Sequence, residues 1–98
     1  MSEDAVVLVD RTRAYDDGTV VSVRVLDVPT SDTYPEGIKY AFHYGVAGAS
    51  HPVIRFDNHH GTHELHLGET TFEIGFPGLE SLGRAFRAAL PETKRADW

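Results

Sequence analysis

Hydrophobic and polar positions alternate with a period of two along most of this chain, and the period changes to three and four near the end. Ala5 to Tyr15 is rich in β-branched residues and stops at Asp16-Asp17-Gly18; Thr19 to Val28 is again valine-rich. An Asp-Gly turn between two such runs is a strong hairpin signal. In the second run Val21, Val23 and Val25 share one face while Ser22 and Arg24 take the other, as a strand with one dry side requires. Pro29 to Glu36 is polar and broken by two prolines. Gly37 to Val46 then places Ile38, Tyr40, Phe42, Tyr44 and Val46 on one face and Lys39, Ala41, His43 and Gly45 on the other. Ala47 to His51 reads as a turn, Val53 to Asp57 as a fourth strand, and Glu69 to Gly75 as a short fifth.

From Pro77 to Leu90 the apolar residues Leu79, Leu82, Phe86, Ala89 and Leu90 recur at helical spacing. Pro77 suits a first turn and Pro91 a stop. Gly83 inside this helix costs about 1 kcal/mol relative to alanine, and predicts a place where the helix lies close to the sheet. The tail after Leu90 is expected to fray. The predicted architecture is α+β: an antiparallel meander of four to five strands with one C-terminal helix packed on one face. Residues 1–98 form one domain, with its core over about 5–90.

A domain of 98 residues buries roughly two-thirds of the surface its unfolded chain exposes, so a homodimer or a partner chain would add useful burial. With no cysteine, disulfides, thiolate metal sites and cysteine nucleophiles are excluded. The apolar runs are too short to span a bilayer, and the acidic Met1–Asp4 lacks a secretory pattern, so the expected compartment is the cytoplasm, with no membrane partner.

The net charge of −6 argues against non-specific nucleic-acid binding. The acid is uneven, however: eight acidic residues precede Gly37 against three arginines, while the seven that follow face six cations. Two lysines to seven arginines, with abundant Asp, Glu, Val and Ala, suit a high-GC and salt-loving, archaeal source.

One segment stands apart. Arg55 to Gly68 carries Asp57, Asn58, His59, His60, His63 and His66, four of the six histidines within eight positions. Imidazole serves proton transfer and metal binding at neutral pH. A histidine pair with a nearby arginine can cleave RNA without a metal: one ring takes the 2′-hydroxyl proton, the other protonates the leaving oxygen, and the guanidinium stabilises the phosphate. His63 and His66 are the candidate acid and base, Arg55 the cation, and Asp57 the carboxylate orienting an imidazole. Zinc held by three histidines with Asp57 or Glu64 is a second chemistry. Against both stands a plain reading in which Asp57-Asn58 starts a turn and the histidines, His59 and His60 above all, decorate a solvated loop. His43 and His51 read as structural or simply exposed, Arg84 and Arg87 as a solvated helix side, and Tyr40, Phe42 and Tyr44 as core. No cofactor motif is present.

The order of these features resembles the TumE family, the toxin half of a bacterial and archaeal toxin–antitoxin pair. The resemblance runs from about Val6 to Leu90. It covers the turn and hairpin Asp16-Asp17-Gly18-Thr19-Val20-Val21, the strand Gly37 to Tyr44, and the triplet Phe56-Asp57-Asn58 at a strand end. A His- and Gly-rich loop ending His66-Leu67-Gly68 and the helix Leu79 to Leu90 complete it. It implies a cytoplasmic growth inhibitor, silenced by a cognate helix-turn-helix antitoxin; joined with the histidine chemistry, it gives a toxin acting on RNA or the ribosome. Asp57, Asn58, His63 and His66 would form the site, assisted by Arg55. A non-catalytic protein-interaction module and a His-rich metal-binding domain are the alternatives.

Overall fold

The computed structural model describes residues 5–98; the acidic Met1–Asp4 lies outside them. Six strands follow in chain order, β1 (Val6–Ala14), β2 (Thr19–Asp27), β3 (Ile38–Val46), β4 (Ile54–Asp57), β5 (Glu64–Leu67) and β6 (Thr70–Glu73). Each pairs antiparallel with the next, so the sheet is a simple meander. Two helices close the chain, α1 (Leu79–Ala89) and α2 (Glu92–Arg95).

The Asp-Gly hairpin forms as expected. Gly18 takes a φ of 86° in the turn, and Asp17 Oδ1 accepts from the backbone N–H and hydroxyl of Thr19 at 3.0 and 2.6 Å. One face of the sheet is apolar: Val21, Val25, Tyr40, Phe42, Tyr44, Ile54 and Phe56 are buried there against Leu82, Phe86 and Leu90 of the helical layer. The ring centroids of Phe42 and Phe86 lie 5.7 Å apart in a tilted arrangement. Among the described residues the opposite face carries no helix and is mostly polar.

The sheet has one strand more than the four to five expected. Glu64-Leu65-His66-Leu67 lies inside the segment read as loop, yet it pairs with β4 on one side and β6 on the other. The three-residue spacing of His60, His63 and His66 hides a short alternation, Leu65 towards the core layer and His66 away from it. Gly68 opens the two-residue turn into β6 with a φ of 57°, a conformation that glycine adopts without strain.

The tail departs from expectation too. Pro91 ends one helix and caps the next, and α2 folds back on the β1–β2 turn. Lys94 is buried and donates to Asp17 Oδ2 at 2.6 Å and to the Tyr44 hydroxyl at 3.4 Å. Trp98 Nε1 donates to the Tyr15 hydroxyl, which in turn donates to Asp97 Oδ2. A frayed tail would leave these groups unpaired, so the chain closes over them. Gly83 is a further correction: a Cβ placed there meets no atom within 4 Å, so helix and sheet do not touch at that point.

Candidate active site

Antiparallel register decides which of the sequence candidates meet. Arg55 of β4 stands opposite His43 of β3 and His66 of β5, and His66 opposite Thr71 of β6. With Thr12 and Ser22 this row of polar residues crosses the whole helix-free face. The next row runs Asp10, Arg24, Ala41, Asp57, Glu64 and Glu73. Where the two rows adjoin, Arg55 Nε donates to Asp57 Oδ2 at 2.8 Å, and His66 Nε2 stands 3.2 Å from that oxygen and 3.5 Å from Glu64 Oε1.

Several features make this cluster unusual. Asp57 is only 5% exposed although its face carries no helix. Burial pushes its carboxyl up, but the Arg55 guanidinium, the His59 backbone N–H at 3.3 Å and the nearby charges outweigh that and hold it below the ordinary carboxylate value. His66 Nε2 is shut off from solvent and, off axis to both carboxylates, has no hydrogen-bond partner among the described residues; its Nδ1 meets the Thr71 hydroxyl at 3.1 Å. Leaving a buried polar atom unpaired costs free energy, and such atoms call for an explanation. On the far side of Arg55, His43 Nδ1 lies 3.4 Å from Nη1. Arginine only donates, so Nδ1 accepts and the ring proton of neutral His43 sits on Nε2. Burial, with the Arg55 charge, pulls the His43 pKa below its usual value.

The remaining candidates lie elsewhere. Asn58 is 2% exposed and acts as a clamp: its Oδ1 accepts from the Tyr40 N–H at 2.9 Å and its Nδ2 donates to the Ile38 carbonyl at 2.7 Å, fixing the end of β4 to β3. His63 faces the core layer. Its Nδ1 meets the Tyr40 hydroxyl at 2.9 Å, its ring stacks on Phe76 at 4.5 Å, and Nε2 lies 3.3 Å from Glu36 Oε1. His63 and His66 therefore lie on opposite sides of the sheet and do not form an acid–base pair. The loop between them is not free either: Tyr34 donates to the His59 carbonyl, and Gly61 sits so near Thr33 that a Cβ would lie 3.0 Å from its carbonyl oxygen. His59 and His60 are exposed.

Zinc bound by three histidines finds no support in this arrangement, since His66 alone of the segment's histidines reaches Asp57 and Glu64. Those three residues do offer ligand atoms within 4.8 Å of one another, a one-histidine, two-carboxylate set that suits a divalent cation. The Arg55 guanidinium on the same Asp57 oxygen competes with it.

Spacing alone missed His43. The signal lies in the turn length: with Ala47 to His51 as the bend, positions 43 and 55 fall opposite each other, and the alternation of β3 puts His43 on the polar face.

No helix among the described residues is long and apolar enough to cross a membrane. The chain matches no curated protein and no solved structure. The sequence profile of the family described as Toxin TumE matches residues 2–94, nearly the whole chain, and the chain therefore belongs to the TumE toxin family.

Proposed function

We propose that this toxin arrests growth by cleaving RNA without a metal, at the row His43, Arg55 and His66 on the open sheet face. The observation that carries this reading is the sequestered, unpartnered Nε2 of His66, set between Asp57 and Glu64 and beside a guanidinium. A phosphodiester laid on the row meets Arg55 at its centre. The two imidazoles flank Arg55, two strand spacings apart, roughly 10 Å at the backbone.

In the reaction the 2′-oxygen bonds to phosphorus and the bond from phosphorus to the 5′-oxygen breaks, leaving a 2′,3′-cyclic phosphate and a 5′-hydroxyl. His43, kept neutral by burial and Arg55, receives the 2′-hydroxyl proton at Nδ1 once the phosphate draws the guanidinium away. His66 gives a proton to the 5′-oxygen from Nδ1, exchanging its contact with the exposed Thr71 hydroxyl, while Nε2 stays between Asp57 and Glu64. Arg55 stabilises the charge that builds on the phosphoryl oxygens, and Asp57 holds both Arg55 and His66 in place.

The partner of such a toxin is its cognate antitoxin, expected to carry a helix-turn-helix; a homodimer is a further way to extend its small core. Incubating purified protein with single-stranded RNA in excess EDTA tests the chemistry. Cyclic-phosphate ends that disappear in His66→Gln support it, and intact RNA overturns it. Cleavage that needs a divalent ion would favour a second reading, in which Asp57, Glu64 and His66 hold that ion.

A further inference from the structure

On the helical side α1 covers the middle of the sheet and leaves the β1–β2 end open. There a groove of about 540 Å³ runs along α1, floored by Leu8, Val9, Val23 and Phe42 and walled by Leu79 and Phe86. Among the described residues three arginines, Arg11, Arg84 and Arg87, stand on its rim against one acid, Glu80, which pairs with Arg84 at 3.0 Å, in a chain whose net charge is −6. Arg11 and Arg87 have no carboxylate partner among the described residues; they donate to the backbone carbonyls of Asp97 and Arg95. Arg84 and Arg87 also converge with Arg95 on the neighbouring surface.

Gly83 lies at the middle of the groove wall with no atom within 4 Å of where its Cβ would be. A glycine in mid-helix weakens that helix, and here no close contact with the sheet requires it. The missing side chain leaves that stretch of the groove wall open. From Leu79 to Arg87 the wall extends over two turns, about 12 Å, a length that suits another helix lying alongside. An apolar floor under a cationic rim selects a helix with an apolar stripe and acidic flanks.

We infer that this groove is the docking site for an acidic amphipathic helix of the antitoxin. The inference rests on the chain's place in a toxin family and not on the RNA chemistry, since the groove and the His66 cluster lie on opposite faces of the sheet.

The test uses the full chain and the protein encoded by the reading frame adjoining its own gene, with binding read by titration calorimetry. Gly83→Trp puts a large side chain into the groove from a position where a Cβ has space, and R84E/R87E reverses its rim. Both should remain folded by circular dichroism and bind roughly 30-fold or more weakly than wild type. In cells Gly83→Trp should still arrest growth but escape rescue by the antitoxin. Unchanged affinity of Gly83→Trp overturns the site, and failure of the wild type to bind overturns the partner. If R84E/R87E instead loses RNA binding and keeps the antitoxin, the groove serves nucleic acid and the proposal falls. Growth arrest by wild type alone reports separately on whether the chain is an active toxin.

Discussion

At the scale of single residues, neighbours in sequence have divergent roles. Asp57 and Asn58 are adjacent and both buried, yet one faces the polar cluster and the other ties β4 to β3. Replacing Asn58 by alanine leaves a buried N–H and a buried carbonyl unpaired, which should cost on the order of 2–4 kcal/mol. A urea unfolding curve reads this directly, and a loss below about 0.5 kcal/mol would show that water replaces the clamp. His43 gives a pH test. Burial first, and then Arg55, holds its pKa below 6.5 in the fold, so just below that pH the unfolded chain binds more protons than the native one. Stability from this residue is full above pH 6.5 and is lost as pH falls towards the native value. The gain in thermal midpoint from pH 5 to 7.5 should therefore be larger for wild type than for His43→Gln; equal gains would contradict the assignment. Asp57 and Arg55 could be picked out from residue type and strand-end position, and His66 from the density of histidines in its segment. That His63 turns away was not legible, because a one-residue difference in register moves a side chain to the other face.

Among the elements, those held together by local rules were the easiest to read. The β1–β2 hairpin follows from Asp-Gly, β3 from nine residues of alternation, and α1 from apolar spacing. β5 was hidden because four residues give little periodicity and histidine is neutral between core and surface. α2 was hidden because its anchor is remote: Lys94 meets Asp17, 77 positions earlier. The hydrogen bond from Lys94 leads the effects that hold the Asp17 carboxyl well below its usual 3.8, and the Asp17 carboxylate in turn raises Lys94. The Asp17 contribution is complete above pH 3.8 and is lost as pH falls through the lowered native value. Asp17→Asn should thus lower the thermal midpoint at pH 6, with the gap to wild type narrowing as pH approaches 2. A gap independent of pH would mean that the carboxylate charge does not hold α2 in place.

For the whole molecule, the sheet separates two surfaces. Its helix-free face carries the His43, Arg55, Asp57 and His66 cluster, and its helical face carries the apolar groove with an arginine rim. A net charge of −6 over 98 residues also leaves the surface repelling itself at low salt, where the Debye length reaches about 30 Å at 10 mM. The unfolding midpoint should rise between 10 mM and 1 M potassium chloride, and a flat response would remove the salt-loving reading of the composition. The central claim, that the open-face cluster is where the toxin acts, is tested most directly by growth after inducing the wild-type chain beside His66→Gln at matched folded abundance. Arrest by the wild type and normal growth with His66→Gln is the predicted result. Equal arrest by both would contradict the claim and take the His66 cluster out of the mechanism.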